Sequence, residues 1–416
     1  MLAIYSFFTA LLEKLLPLSK LFNAKMKKFV DGRKNTFRQL EDTFSSTDRI
    51  IWLHAASLGE YEQGVPILKA IRQQFPQHKI WVTFFSPSGY EVKKDNELAD
   101  LTTYLPLDTK ANARRFVREA SPELALFVKY EIWPNYLKEL KEKEIPALLV
   151  SGNFRPNQIY FKSSYAFMKE ALKSFKHIFV QNKTSANLLQ KQGFDNVSIS
   201  GDTRFDRVSN QLEMDNRLDF VETFKDNHLC VVCGSTWPED EELFLDFINQ
   251  SGETVKFIIA PHQIKASHIV AFRKKLVKKS VVFSEKDHKD LTDYSVLIID
   301  TVGLLTKIYA YADIAYVGGA AGKTGLHNIL EPAAFGLPIL IGKNHQKFPE
   351  AEQLQEKEGL FSVKTKKECG EILRRLIDDS DLRAQTGRNS FQFINENRGA
   401  TAIIMSYLES LLPPNR

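Results

Sequence analysis

The segment Ile50-Ile51-Trp52-Leu53-His54-Ala55-Ala56-Ser57-Leu58-Gly59-Glu60 joins a short apolar run to small residues and a carboxylate. Its first part is rich in β-branched and aromatic residues, which is typical of a strand buried on both faces of a sheet. From Tyr61 to Phe75 the apolar residues recur at helical spacing. The order strand, tight turn, helix places the turn at the carboxyl end of a strand, where open α/β sheets bind ligands.

Glu60 lies near the start of this predicted helix and beside the predicted crevice. In a structural role, its negative charge would stabilise the helix N-terminus through the helix dipole. In a catalytic role, it would be a carboxylate placed to take a proton from a substrate. The local sequence leaves both interpretations open.

Strand-like runs alternate with helical patterns along the chain, which predicts an α/β fold with parallel sheets. We predict strands over 50–54, 79–85, 101–107, 124–129, 147–151, 177–181 and 197–200 in the first half, and over 229–234, 255–260, 280–283, 295–299, 314–317, 338–341 and 360–363 in the second. At 416 residues the chain exceeds an ordinary single core. The best description is two doubly wound, Rossmann-like domains with a cleft between them.

The predicted organisation has four parts. Residues 1–20 form an apolar N-terminal helix, 21–208 the first domain, 209–227 a polar linker without a strand signal, and 228–416 the second domain, closed by helices of which the last covers about 400–411. The composition is that of a globular protein, with 43% hydrophobic and 26% charged residues. The net charge of +5 is only mildly basic, and we predict no nucleic-acid partner. Cys230, Cys233 and Cys369 are predicted to be core residues in a reducing cytoplasm.

The N-terminal segment combines an apolar run with a basic one. Residues 1–12 are apolar and aromatic, but Glu13, Lys14 and Pro17 interrupt them, so the run is shorter than the ~20 residues of a spanning helix. Between Lys20 and Arg38 seven basic residues stand against one acid. This arrangement favours binding to the surface of an anionic membrane from the cytoplasm. The alternative is a helix docked on the protein's own core.

A second candidate site is the glycine-rich segment from Tyr316 to Pro332. A predicted strand enters a loop that contains Gly318, Gly319, Gly322 and Gly325, and a helix is predicted to begin near Asn328. Backbone N–H groups and a helix N-terminus at such a point bind anions, which predicts a phosphate loop of a nucleotide site. Glu331 would accept hydrogen bonds from ribose hydroxyls. A purely structural turn is the alternative.

Other kinds of site are excluded by spacing. Gly322-Lys323-Thr324 is not a Walker motif, because Val317 stands where that motif needs its first glycine. No set of His and Cys residues has the spacing of a zinc site. Asp379-Ser380-Asp381 lies between two helical patterns and is interpreted as a helix cap. We therefore expect no catalytic metal and no cofactor.

Five segments together resemble the ordered motifs of the 3-deoxy-D-manno-oct-2-ulosonic acid (Kdo) transferases. These segments are His54-Ala55-Ala56-Ser57-Leu58-Gly59-Glu60, Glu131-Ile132-Trp133-Pro134-Asn135, Gly201-Asp202-Thr203-Arg204-Phe205-Asp206, Gly234-Ser235-Thr236 and Asn328-Ile329-Leu330-Glu331-Pro332. The resemblance covers essentially the whole chain. It implies a GT-B glycosyltransferase fold, an acceptor-binding N-terminal domain, a CMP-binding C-terminal domain, and transfer of Kdo from CMP-Kdo to a lipid A precursor at the cytoplasmic side of the inner membrane.

The resemblance also implies roles for individual residues. Glu60 matches the general base, and Glu131 and Arg204 match positions of transition-state stabilisation. The CMP site is implied to comprise Pro261, His262, Gly303, Leu304, Leu305, Asn328, Ile329, Leu330 and Glu331. Three positions depart from the family pattern: Arg204 replaces a frequent Lys, His262 a common Arg, and Leu304 a frequent acid. The alternatives are another GT-B enzyme, such as a nucleotide-sugar epimerase, and a catalytically silent membrane-associated binding protein.

Overall fold

The computed structural model describes residues 1–21 and 23–412. It divides the chain into two compact units, the first made of residues 1–207 with the described residues from 398 onwards, and the second of residues 208–397. Each unit contains a parallel sheet of seven strands flanked by helices. The predicted α/β class with two doubly wound sheets is therefore confirmed.

The first unit is built on the strand order β3-β2-β1-β4-β5-β6-β7. Its strands are β1 (Ile50–Ala55), β2 (Lys79–Phe84), β3 (Leu101–Tyr104), β4 (Leu124–Val128), β5 (Ala147–Gly152), β6 (His177–Val180) and β7 (Val197–Ile199). Its helices are α1 (Leu2–Leu15), α2 (Ala24–Gly32), α3 (Thr36–Thr43), α4 (Leu58–Gln74), α5 (Pro87–Lys93), α6 (Lys110–Ala120), α7 (Pro134–Glu142), α8 (Ala166–Leu172), α9 (Lys183–Lys191) and α10 (Thr203–Asn210), which crosses the unit boundary.

The second unit has the strand order β10-β11-β9-β8-β12-β13-β14. Its strands are β8 (Leu229–Thr236), β9 (Val255–Pro261), β10 (Ser280–Val282), β11 (Val296–Ile298), β12 (Ile314–Val317), β13 (Ile339–Gly342) and β14 (Leu360–Val363). Its helices are α11 (Asp219–Lys225), α12 (Pro238–Gln250), α13 (Ala266–Lys275), α14 (Leu305–Ile308), α15 (Leu330–Ala334), α16 (Pro349–Glu356), α17 (Lys366–Asp378) and α18 (Ser380–Asn397). The final helix, α19 (Ala400–Leu411), follows in the first unit.

Strand β1 is buried on both faces, as its sequence predicts. Ile50 and Trp52 pack in one core cluster, while Ile51 and Leu53 pack in another on the opposite face of the sheet. This alternation follows from the two-residue period of a strand. The sheet of the first unit therefore separates two cores.

Cys230, Cys233 and Cys369 are buried and free, as predicted.

The structure differs from the predicted boundaries at three places. Residues 209–227 belong to the second unit instead of forming a separate linker, and they contain a short helix, α11, whose Val221 and Phe224 are buried. Helix α19 belongs to the first unit rather than the second, since its Ile404, Met405 and Leu408 complete a core cluster of the first sheet. The third strand ends at Tyr104 instead of residue 107, before a proline that has no N–H to donate to a sheet.

Helix α1 has a docked polar side and an exposed apolar side. The Tyr5 hydroxyl donates to Asp108 Oδ2 at 2.9 Å, and the Ser6 hydroxyl donates to Asn135 Oδ1 at 2.8 Å. Burial raises the pKa of Asp108 to about 6, although hydrogen bonds from the Asn135 N–H, Tyr5 and the Tyr136 N–H oppose this shift. Phe7 and Phe8 point outward and are 65% and 61% exposed. The docked side agrees with the alternative of a helix held on the protein, and membrane binding by the exposed apolar side stays a prediction.

The helical stretch is also longer than the apolar run suggests. It continues through a 3-10 segment to Leu21, which gives 20 residues that contain an 18-residue window with a mean hydropathy of 1.3. By length and composition alone it is therefore sufficient to cross a membrane. Part of the basic segment is neutralised within the protein, since Asp31 pairs with both Lys20 and Lys34, and Lys28 pairs with Glu91.

Candidate functional site

The first group of candidate residues lies at the carboxyl ends of two adjacent strands. β1 pairs with β2 on one side and with β4 on the other, so the chain leaves β1 and β4 at a switch point of the sheet. Glu60 follows β1 by five residues, and Glu131 follows β4 by three. The sequence-predicted position of Glu60 at a ligand-binding edge is therefore supported by the topology of the first unit.

Glu60 lies in the first turn of α4, where it is partly exposed. Its Oε2 accepts a short hydrogen bond from the hydroxyl of Ser57, the residue that precedes the helix. The pKa of the Tyr130 hydroxyl is raised by burial, with a further contribution from the negative charge of Glu60. The charge of Glu60 thus acts on Tyr130, the residue that precedes Glu131 in the chain.

Glu131 has two polar partners at the same oxygen. Trp133 Nε1–H donates to Glu131 Oε2 at 2.9 Å, and His54 Nε2 lies 3.2 Å from the same atom. The Glu131 side chain is 14% exposed and His54 is completely buried. The glutamate is therefore a nearly buried carboxylate whose orientation is fixed by the protein.

Arg204 is brought to this region by its neighbours in the sequence. The Thr203 hydroxyl donates to the Gln63 carbonyl in α4 at 2.6 Å and lies 3.0 Å from Ser151 Oγ at the end of β5. Arg204 Nε and Nη2 both donate to Asp202 Oδ2, at 2.8 and 2.7 Å. A lysine has a single nitrogen and could not make this paired contact, so Asp202 is matched to an arginine at this position.

Asp206, two residues further on, has a structural role. Its Oδ1 accepts the Gly399 N–H at 2.6 Å, and its Oδ2 accepts the Thr401 N–H and hydroxyl, both at 2.7 Å. These donors form the first turn of α19 and the residue before it. A carboxylate at this point accepts hydrogen bonds from N–H groups that have no partner within the helix, and its charge stabilises the helix N-terminus. The motif Gly201–Asp206 therefore positions Arg204 and also fastens the C-terminal helix.

The second group of candidate residues lies at the carboxyl end of the other sheet. The neighbouring strands β9, β8 and β12 lead into His262, Trp237 and the glycine-rich loop that ends at His327. The Trp237 and His262 rings are stacked, with centroids 4.8 Å apart, and the His262 and His327 rings are 4.3 Å apart. Trp237 Nε1–H donates to His327 Nε2 at 3.0 Å. Burial lowers the pKa of His327 to about 4, with a contribution from His262.

The remaining predicted CMP segments meet in the same unit. The Thr306 hydroxyl donates to Glu331 Oε2 at 3.0 Å, which joins α14 to the segment from Asn328. Asn328 Nδ2 donates to Glu331 Oε1 at 3.0 Å.

Individual residues in these segments have different environments. Ile329, Leu330 and Pro261 are buried, so their side chains serve the core, and only their backbones could meet a ligand. His262, Gly303 and Asn328 are exposed, while Leu304 and Leu305 are partly buried. The predicted helix after the loop begins at Leu330 rather than at residue 328, because the Asn328 side chain accepts the Leu330 N–H.

The glycine-rich loop is folded around a buried carboxylate of the protein itself. Asp240 Oδ2 accepts the Gly319 N–H at 2.8 Å, and Oδ1 accepts the Ala321 N–H at 3.2 Å. Asp240 also accepts the Trp237 N–H and the Tyr316 hydroxyl. The N–H groups of Gly319 and Ala321 are therefore bonded internally rather than directed at a phosphate. This finding differs from the expectation of a loop whose N–H groups are all available.

The glycines of this loop are required by close packing. A Cβ at Gly318 would lie 2.3 Å from the Ser235 carbonyl oxygen, and one at Gly319, where φ is +98°, would lie 2.0 Å from the Gly325 oxygen. Gly318 and Gly319 thus allow the loop to fold back against β8 and on itself.

The predicted helix cap at Asp379 is confirmed, since its carboxylate accepts the Asp381 and Leu382 N–H groups.

Sequence reasoning did not identify His54, Thr83 and Asp240 as functional neighbours. His54 and Thr83 lie in strands, and the local sequence around a buried polar residue in a strand does not indicate which residue it contacts. The sequence around Asp240 did indicate a helix start, because Asp240 stands three residues after Trp237 in a stretch rich in residues that cap helices. The structure confirms that cap but adds the contacts to the glycine-rich loop, which come from a segment about 80 residues away.

Comparison with known proteins finds similarity to one family. Residues 29–207 match the model of the 3-deoxy-D-manno-octulosonic-acid transferase (kdotransferase) domain. The chain is 26% identical to the 3-deoxy-D-manno-octulosonic acid transferase of Haemophilus influenzae, over 88% of each protein. It is 28% identical to that of Aquifex aeolicus, over 79% of this chain and 86% of the relative.

Solved structures confirm the fold class. The UDP-GlcNAc 2-epimerase of Neisseria meningitidis, bound to UDP-GlcNAc, aligns with a TM-score of 0.61 at 13% identity, over 87% of this chain and 100% of that protein. MurG of Acinetobacter baumannii aligns with a TM-score of 0.55 at 11% identity, over 87% of this chain and 99% of that protein. At such low identity these matches establish the fold alone, which is GT-B. The sequence matches go further: residues 29–207 match the Kdo transferase domain, and over most of its length the chain is similar to Kdo transferases, which identifies it as a glycosyltransferase.

Proposed function

We propose that the chain transfers Kdo from CMP-Kdo to a lipid A precursor in lipopolysaccharide biosynthesis. The observation that carries the proposal is the placement of Glu60 and Glu131 at the switch point of the first sheet, within the segment that matches the family domain. The named activity of the relatives supplies the sugar. The resemblance of the motifs supplies the nucleotide and the lipid acceptor.

In the proposed reaction Glu60 is the general base. A sugar hydroxyl is a weak nucleophile until a positioned carboxylate takes its proton as the new bond forms. The hydroxyl oxygen of the acceptor attacks the anomeric carbon of Kdo, the proton passes to Glu60, and the bond from that carbon to the phosphate oxygen breaks to release CMP. Attack in one step from the face opposite the leaving group inverts the anomeric centre.

Glu131 and Arg204 are proposed to stabilise the charges that develop during this step. Arg204 carries a permanent positive charge, and Asp202 fixes its orientation through Nε and Nη2. Fixed charges that need no reorientation are the most effective in stabilising a transition state. We propose that this arrangement performs the transfer without a metal ion, so that activity should persist in EDTA.

The second unit is proposed to bind the CMP moiety. Pro261-His262, Gly303–Leu305 and Asn328–Glu331 are the proposed contacts. The partly exposed glycines of the loop, Gly322 and Gly325, are the proposed neighbours of the phosphate. We predict that CMP raises the melting temperature of the full chain more than UDP or ADP does. Thermal unfolding with each nucleotide at equal concentration measures this. An equal or larger shift with UDP would favour the epimerase interpretation.

The direct test of the proposed function is a transfer assay. The full chain is incubated with a lipid A precursor and with CMP-Kdo generated in situ, with and without EDTA, and the lipid is analysed by mass spectrometry. A mass increase of one or more Kdo units is expected in both conditions. Release of CMP without any change in the lipid would contradict the proposed acceptor, and loss of transfer in EDTA would contradict metal independence.

We also propose that α1 attaches the protein to the cytoplasmic face of the inner membrane. Its outward side carries Ile4, Phe7, Phe8, Leu11, Leu12 and Leu15, all at least 42% exposed. An apolar helix face next to basic residues binds an anionic bilayer surface. The docked side, held by Tyr5 and Ser6, would stay on the protein.

A double substitution tests this attachment. Phe7→Ser with Phe8→Ser should reduce binding to phosphatidylglycerol-containing vesicles at least about tenfold, because two exposed aromatic side chains would no longer enter the bilayer. The control is Val270→Ser with Val277→Ser, which removes two exposed apolar residues of the second unit. Co-sedimentation measures binding. Unchanged binding of the Phe7/Phe8 variant would contradict the proposal.

A further inference from the structure

A chain of hydrogen bonds runs through the interior of the first unit to Glu131. Trp52 Nε1–H donates to Thr83 Oγ1 at 2.8 Å, Thr83 Oγ1 lies 2.8 Å from His54 Nδ1, and His54 Nε2 lies 3.2 Å from Glu131 Oε2. Trp52, Thr83 and His54 are all completely buried. They lie in the paired strands β1 and β2, where His54 is the register partner of Thr83. The chain is therefore part of the rigid sheet rather than of a loop.

The direction of these hydrogen bonds follows from the donors present. An indole N–H can only donate, so Thr83 Oγ1 must accept from Trp52. The hydroxyl proton of Thr83 is then available for His54 Nδ1. With Nδ1 accepting, the ring proton of a neutral imidazole lies on Nε2, which faces the Glu131 carboxylate. The opposite tautomer would place a ring lone pair against the lone pairs of Glu131 and would be repelled.

We propose that Thr83 and His54 are positioning residues for Glu131. Trp52 orients the Thr83 hydroxyl, Thr83 selects the Nε2–H tautomer of His54, and His54 together with Trp133 fixes Glu131 through Oε2. Within the described part of the chain both protein donors bond this one oxygen, which directs Oε1 to the substrate. The role in turnover rests on the proposed function, whereas the tautomer is a property of the folded chain.

The tautomer is tested first, because it requires no activity. The full chain is labelled with ¹⁵N-histidine, and the His54 ring resonances are assigned by comparison with the His54→Gln variant. The expected result is an unprotonated Nδ1 and a protonated Nε2 in the wild type. A protonated Nδ1 would overturn the proposal whether or not the chain transfers Kdo.

The kinetic test uses a matched pair of threonines. Thr83→Val keeps the shape and removes the hydroxyl, so kcat for Kdo transfer should fall at least about tenfold, with little change in the KM for CMP-Kdo. Thr83→Ser should restore kcat. The control is Thr103→Val, because Trp81 Nε1–H donates to Thr103 Oγ1 at 3.0 Å in the neighbouring strand pair, in an equivalent indole–hydroxyl contact.

The two variants separate positioning from stability. Both remove one buried acceptor from an indole N–H, and Thr83→Val also removes the donor to His54, so both should lower the melting temperature. Only Thr83→Val should reduce kcat. An equal fall in kcat for Thr103→Val, or an unchanged kcat in a folded Thr83→Val protein, would overturn the positioning role. If the wild type transfers no Kdo, the proposed function fails and the NMR result still decides the tautomer.

Discussion

Glu60→Gln is expected to lower the rate of Kdo transfer by ~10²-fold or more while the protein remains folded. The amide has nearly the shape of the carboxylate but cannot take the proton of the attacking hydroxyl. If Glu60 only supported the N-terminus of α4, the same change would cost a fraction of a kilocalorie in stability and leave turnover near normal. The hydrogen bond from Ser57 can be kept by the amide oxygen, so the local structure should persist.

The measurement pairs transfer with nucleotide affinity. CMP binding should survive Glu60→Gln, because the proposed CMP contacts belong to the second unit. Glu62→Gln is the matched control: it removes a carboxylate from the same helix, one that pairs with Arg207 at 2.7 Å. Its transfer rate should stay within a few-fold of the wild type. Near-normal transfer by Glu60→Gln would exclude Glu60 as the general base.

Asp240→Ala is expected to destabilise the second unit by about 3 kcal/mol or more. Four donors lose their acceptor together, namely the N–H groups of Trp237, Gly319 and Ala321 and the Tyr316 hydroxyl. Asp240 is completely buried, so water cannot replace the lost bonds without a rearrangement. The glycine-rich loop should therefore lose its fixed conformation, and CMP affinity should fall with it.

Urea unfolding and CMP titration test this expectation. Asp246→Ala is the control, since Asp246 lies in the same helix but is exposed and pairs with Lys366 at 3.4 Å. Its removal should change stability by no more than about 0.5 kcal/mol. A stable Asp240→Ala protein with normal CMP affinity would show that the loop is held by its glycine packing alone.

Much of the fold was accessible from local sequence. The runs that begin at Ile50 and Leu229 are long and apolar enough for buried strands, and each is followed by a helical pattern. Strand positions and the parallel arrangement could therefore be predicted. The boundaries were less accessible. Residues 209–227 contain many polar side chains, and only the tertiary packing of Val221 and Phe224 makes part of them a helix of the second unit.

The candidate site was predictable to the same limited extent. Glu60, Glu131 and Arg204 were proposed from motifs, and the topology brings the segments of the first two together. Their internal partners could not be found, because Thr83 and Asp202 acquire their significance from contacts rather than from a pattern. The phosphate-loop expectation treated backbone N–H groups as available, whereas a carboxylate from α12 had already engaged the N–H groups of Gly319 and Ala321.

The attachment of α19 to Asp206 has a consequence for biosynthesis. The chain leaves the first unit after Arg207 and returns to it at Arg398, so the second unit is an insertion between two parts of the first. On the ribosome the first unit begins to emerge before the second, yet it receives its closing helix only after the whole second unit has been synthesised. A nascent chain that stopped before Gly399 would leave Asp206 without its three donors and would leave the core beneath α19 uncovered. The N-terminal half therefore completes its fold last.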